Sequence, residues 1–133
     1  MRTRVLIVDD HLLVRRGLRT ILAAHQDWEV CGEASGGQEA IQKAVELQPE
    51  LVIMDISMPG LSGLQATRQI REALPQTEVL ILSMHESHEV MRAAREAGAR
   101  GFIVKSDPDS RLMEAMRTVC LHKPYFPTNW GEN

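Results

Sequence analysis

Five short apolar runs punctuate the chain: RVLIV at 4–8, WEVCGE at 28–33, LVIM at 51–54, EVLIL at 78–82 and GFIV at 101–104. Between them, apolar positions recur at the spacing of a helix lying on a core, whereas the runs themselves have the length of strands. Val5–Val8, Leu51–Met54 and Val79–Leu82 are apolar at every position, and a strand with no polar face needs cover on both sides. The pattern predicts five strands alternating with helices. A doubly wound α/β sandwich accommodates it, because each right-handed crossover lays its helix on a sheet face.

The first helix is expected to bury Leu13, Gly17, Leu18, Ile21 and Leu22 and to turn Arg15, Arg16 and Arg19 outward as a hydrated basic stripe. Helices two and three each open on Ser-x-x-Gln, Ser35 to Gln38 and Ser62 to Gln65, the spacing of a reciprocal cap. The fifth helix is expected to take Asp107 as its cap and Pro108 in its first turn, with Leu112, Met116 and Val119 inward. Residues 1–122 then form the domain. The closing stretch HKPYFPTNWGEN has two prolines, a glycine and no helical period, so 123–133 reads as a linker or frayed tail.

At 133 residues the chain can bury a single core. Cys31 and Cys120 sit in apolar segments and are too few for a disulfide framework, which suggests reduced core thiols in a cytoplasmic protein. A formal charge of −3 argues against a nucleic-acid-binding surface. No apolar run approaches the roughly 18 residues of a membrane span.

The chemistry gathers at strand ends. Strand one ends on Asp9 and Asp10, strand three on Asp55, strand four on Ser83 and strand five on Lys105; in open α/β sheets these ends form the ligand crevice. Adjacent carboxylates repel by about 1 kcal/mol in water and about 4 near a protein surface. Three of them in one crevice suit a hard cation such as Mg2+, which offsets that cost. A carboxylate can also attack phosphorus, and phosphoryl transfer asks mainly for positioning and neutralised charge, which Lys105 and Ser83 could supply. Taken singly, each residue has a plainer reading: Asp9 or Asp10 as a helix cap, Asp55 as a turn residue, Lys105 as a solvated lysine. Their convergence on neighbouring strand ends favours a site. His85 and His88 lack a third ligand at suitable spacing and read as a solvated helix start. His11 receives no role, and Met84, Met91, Met113 and Met116 read as packing.

The motifs LIVDDH, DISMPGLSG, LSMH and AGARGFIVK, in this order and spacing, resemble the receiver domain of two-component response regulators, in the NarL/FixJ (LuxR-type) branch. The resemblance spans roughly Arg4 to Leu121. It implies a flavodoxin-like (CheY-like) fold of five parallel strands in the order 2-1-3-4-5 with five helices. By the same matching, Asp55 accepts a phosphoryl group from a sensor histidine kinase, and Asp9, Asp10, Asp55 and the backbone carbonyl of Ser57 hold Mg2+. Ser83 and Lys105 then bind the phosphoryl group, with Ser57 and Met84 at its border. Such a chain catalyses transfer onto itself and slow autodephosphorylation only. The family's output face is helix four, strand five and helix five, and a homodimer could form there or through helices one and five.

Phe102 stands where the family often has tyrosine, so a switch linking it to Ser83 would work by packing rather than through a phenol hydroxyl. Relatives of this branch usually carry a helix-turn-helix domain. No such domain is expected in these residues, which suit a piece of a longer transcription regulator or a stand-alone receiver, with DNA reached only through an absent C-terminal domain. Two other classes compete. A phosphatase of the haloacid dehalogenase type would show Asp-x-Asp after strand one, which DDHL lacks. A non-catalytic module with a relic pocket sits poorly with a complete set of acceptor, metal and lysine positions.

Overall fold

The structure, a computed structural model, describes residues 2–127. Its elements alternate without exception: β1 (Thr3–Val8), α1 (Leu12–Ala23), β2 (Trp28–Ala34), α2 (Gly37–Leu47), β3 (Leu51–Asp55), α3 (Gly63–Ala73), β4 (Glu78–Ser83), α4 (His88–Glu96), β5 (Gly101–Val104) and α5 (Asp109–Cys120). All neighbouring strands pair in parallel, in the order β2-β1-β3-β4-β5. The five-stranded doubly wound sheet expected from the sequence is therefore present.

Successive strand residues divide between two cores, as the two-residue period of a strand requires. Leu6, Val8, Val52 and Met54 face α2, α3 and α4, while Val5, Ile7, Leu51 and Ile53 face α1 and α5. Each core holds side chains removed entirely from water, and burying one aliphatic side chain contributes about 1.5–3 kcal/mol. Covered faces force every polar strand residue to an end, and that is where the site lies.

Several local expectations are corrected. In α1 the inward residues are Leu18 and Leu22, flanked by Val14 and Ile21, whereas Leu13 is 78% exposed. Arg15 and Arg19 are not merely hydrated: both pair with Glu33 on β2. The Ser62–Gln65 reciprocal cap forms at α3. At α2 the N-cap is Gly36, and Ser35 bonds instead to the Glu39 carboxylate. At α5 the N-cap is Pro108, because the Asp107 carboxylate turns back to accept the Val104 N–H. Met91, Met113 and Met116 are buried as expected, but Met84 is exposed. Both cysteines are free and half-buried, and burial pushes the Cys120 thiol up to about 11.

The tail differs most. Tyr125 pairs in parallel with Gly101, donating its N–H to the Arg100 carbonyl and accepting the Phe102 N–H. Its ring joins the core under α1 and α5, and Phe126 joins the opposite one, the alternation of a sixth strand. A two-aromatic segment between prolines is too short to show a strand period, which is why the sequence read as frayed. The tail residues beyond Pro127 lie outside the described residues.

Candidate functional site

The side chains expected at the strand ends stand on the carboxyl edge of the sheet. Asp9 follows β1 and is fully buried, Asp55 closes β3, Ser83 closes β4 and Lys105 follows β5. The Lys105 Nζ lies 3.0 Å from Asp9 Oδ2 and 3.4 Å from Asp55 Oδ1, so one ammonium bridges two carboxylates from different strands. Burial opposes the Lys105 charge, but the two aspartates outweigh it and hold its pKa above the ordinary lysine value. Burial also pushes the Asp55 carboxyl up, aided by the Asp9 charge and opposed by Lys105 and the Ser57 N–H.

The backbone fixes these groups. Gly60 sits at φ +76° in the loop after β3, a conformation that glycine adopts freely. Gly63 brings α3 so close to β3 that a Cβ there would land on the Asp55 carbonyl oxygen. Asp55 Oδ1 accepts the Ser57 N–H at 3.4 Å. Asp9 Oδ1 accepts the His11 N–H at 2.9 Å, and the Asp9 carbonyl accepts from Arg15 at 2.7 Å. Arg15 is in turn held by Glu33, 2.8 Å away; the hydrogen bonds from Arg19 and Arg15, with their positive charges, hold the Glu33 carboxyl below its usual value.

One expectation meets a different arrangement, and two further residues take places the sequence did not specify. The Ser83 hydroxyl donates to the His85 carbonyl and accepts the His85 N–H, closing its own turn rather than meeting the carboxylates. Phe102 is wholly buried among the residues under α4. His11, given no role from sequence, places Nδ1 3.2 Å from both Asp9 Oδ1 and Asp10 Oδ1. Its position directly after the acidic pair was the available signal. The Arg15–Glu33 brace joins residues 18 apart on different elements, which no local pattern reveals.

One ligand atom each from Asp9, Asp10, His11 and Asp55 falls within 4.8 Å of the others, the one grouping of this kind among the described residues. That grouping does not include His85 or His88. Asp10 Oδ1 and Asp55 Oδ2 are buried without a hydrogen-bond partner. An unsatisfied buried oxygen costs about 1–3 kcal/mol, and three carboxylates against one ammonium leave a formal excess of two negative charges. An acidic pocket of this composition can bind a divalent metal ion.

Comparison with known proteins identifies the family. The model of the response regulator receiver domain matches residues 5–117. The chain belongs to this family. Among curated proteins it is 44% identical over 123 residues to the oxygen regulatory protein NreC of Staphylococcus haemolyticus, covering 92% of this chain and 57% of that protein. NreC of Staphylococcus carnosus is 45% identical over 124 residues, with the same 92% and 57% covered. The receiver therefore spans somewhat more than half the length of these relatives. A LuxR-family response regulator from Aurantimonas superposes with a TM-score of 0.92 at 31% identity, covering 99% of this chain and 94% of that one. The receiver domain of the response regulator NarL from Mycobacterium tuberculosis gives a TM-score of 0.87 at 30% identity, with 92% and 98% covered. Together they place this receiver in the NarL/FixJ branch. No helix among its described residues is long and apolar enough to cross a membrane.

Proposed function

We propose that this receiver is a phosphorylation switch whose acceptor is Asp55, charged by the phosphohistidine of a sensor histidine kinase. The observation that carries the reading is the division of labour on the Asp55 carboxylate. Oδ1 faces Lys105 and the Ser57 N–H, while Oδ2 is buried with no hydrogen bond to break before it attacks. In the transfer, Asp55 Oδ2 forms the new bond to phosphorus as the donor's P–N bond breaks, leaving an acyl phosphate on the strand end.

Asp9, Asp10 and Asp55, with the Ser57 backbone carbonyl, would hold Mg2+, which neutralises phosphoryl oxygens when bound. The orphaned oxygen Asp10 Oδ1 is the structural fit for that ion, and Asp55 Oδ2 is left for the phosphoryl group. Lys105 stands ready to exchange its contact with Asp55 for a phosphoryl oxygen. Ser83 would release the His85 carbonyl to donate its hydroxyl to the same group, and Phe102 would respond through packing alone. The chain does not turn over substrate: the phosphoryl group stays on Asp55 until water removes it.

The family sets the wider reading: a cytoplasmic chain that takes its phosphate from a kinase, pairs with a second copy once phosphorylated, and reaches DNA through a separate domain of the intact protein. The first step is tested by intact-mass spectrometry after incubation with acetyl phosphate and Mg2+. One phosphoryl group is expected on the wild-type chain, none after chelation, and none on Asp55→Asn. Label retained by that variant would overturn the assignment of the acceptor, and catalytic turnover of phosphomonoesters would favour a phosphatase.

A further inference from the structure

The end of the sheet opposite the carboxylate crevice carries an opening of the reverse charge. A cavity of about 260 Å3 lies between the end of α3, the turn from α4 into β5 and the tail, lined by Arg71, Arg95 and Arg100 together with Gly98, Pro124 and Phe126. Against the three guanidinium groups stands one buried carboxylate, Glu78, which meets Arg71 and Arg100 through Oε1 and His122 through Oε2. Glu72 and Glu96, each the chain neighbour of a lining arginine, are exposed and do not line the cavity. Three guanidinium groups against one carboxylate leave a formal excess of two positive charges.

The arginines are anchored without being used up. A guanidinium carries five N–H donors. Arg71 commits Nη1, to the carbonyls of Pro75 and Thr77 and to Glu78, and Arg100 commits Nε to Glu78. Among the described residues, the other N–H groups of these two side chains meet no acceptor. The Arg71 stem is pinned where Gly98 passes it, so close that a Cβ there would fall 3.0 Å from Cγ. Arg95 lies over the Phe126 ring, its Cζ 5.8 Å from the centroid. Arg71 and Arg100 are 20% and 34% exposed, so an anion reaching them meets charges only partly screened by water.

We propose that this cavity is a binding site for a phosphate monoester dianion. Two planar forks entering from different chain segments suit the terminal oxygens of a phosphoryl group, and the excess of two charges matches a dianion better than a carboxylate. Phe126 and Pro124 offer flat apolar surface to the body that carries the phosphate. Bound there, the anion ties α3, the α4–β5 turn and the tail together, and so holds Tyr125 on β5. The site shares no residue with the Asp55 crevice and stands or falls apart from it.

The test follows backbone amide and arginine Nε–H resonances of the full 133-residue chain in EDTA, where the metal-free carboxylate crevice repels anions. Phenyl phosphate, inorganic phosphate and, at matched ionic strength, sodium chloride are titrated in turn. Saturable shifts at Ala99, Arg100 and Phe126 are expected with both phosphates and not with chloride. Exchange of the Phe102 amide, which donates to Tyr125, should slow when phosphate binds. Arg100→Gln and Arg95→Gln should each weaken binding about tenfold; Arg95 is exposed, so its variant keeps the test valid if Arg100→Gln fails to fold. Tighter binding of phenyl phosphate supports an organic ester as the occupant, and equal binding supports free phosphate at the same site. Shifts that fail to saturate, or that persist unchanged in Arg95→Gln, overturn the proposal. Tighter binding of hexaglutamate than of either phosphate overturns it too, by making the surface a dock for an acidic peptide.

Discussion

Asp55 and Lys105 carry opposite consequences for stability, although they touch. Asp55 is a buried carboxylate facing a second buried carboxylate, so replacing it with neutral asparagine should raise the stability of metal-free protein by about 1 kcal/mol. Lys105→Ala leaves Asp9 and Asp55 without their shared counter-charge and should lower it by about 2 kcal/mol. Millimolar Mg2+ should recover much of the second loss and raise the melting temperature of the wild type, since an ion bound only to the folded chain stabilises by mass action. Urea denaturation of the three proteins, with EDTA and with Mg2+, checks both signs; a destabilised Asp55→Asn would show that the carboxylate is not strained. At this scale Asp9, Asp10, Asp55 and Lys105 were legible in the sequence because each terminates an apolar run, where a charge has no other outlet. His11 and Arg15 were not. His11 follows the acidic pair directly but was given no role, and the Arg15 contact depends on a helix turning one side chain back over the strand end, a geometry carried by no run or spacing.

Among the elements, α3 is the one most tightly tied to the acceptor. Its Ser62–Gln65 cap is formed at the surface, whereas the next residue, Gly63, is fully packed beneath it. Ser62→Ala should therefore cost about 1 kcal/mol with phosphorylation intact. Gly63→Ala should cost about 3 kcal/mol, because neither the Asp55 carbonyl nor the α3 backbone has a flexible end to move. It should also slow phosphoryl uptake from acetyl phosphate, since any relief displaces Asp55. Equal kinetics for the two variants would separate α3 packing from the site. The caps of α2 and α5 were misread for a shared reason: the capping side chain had a better partner. Ser35 finds Glu39, and Asp107 finds the Val104 N–H. Spacing names candidates for a cap, and competition among hydrogen bonds selects between them.

At the scale of the whole molecule, the end of the sheet opposite the site is fastened by one buried acid. Glu78, only 1% exposed, meets Arg71 from α3, Arg100 before β5 and His122 after α5. Burial works against its charge, but His122 and the two arginines outweigh it and hold its carboxyl below the usual value. A carboxyl lowered by folding contributes stability that is complete above the unfolded-chain pKa of about 4.3 and is lost as pH falls through the folded value. Glu78→Gln should cost about 2 kcal/mol at pH 7 and progressively less below pH 4, as read from urea midpoints along a pH series. A constant difference between variant and wild type would assign the effect to packing.

The same end of the fold is where Tyr125 lies along β5. With the Phe102 N–H given to Tyr125 and the Val104 N–H given to Asp107, these two amides on the last strand are not left open for another chain to pair with. A polypeptide ending at Leu121 would uncover the Phe102 amide and the Arg100 carbonyl while leaving the phosphoacceptor crevice complete. Such a shortened protein should still take up phosphate yet grow into sheet-extended aggregates with rising concentration, visible as scattered light that the full 133-residue chain does not produce. Aggregation of this kind would be mistaken for signal-driven dimerisation unless unphosphorylated protein showed it as well.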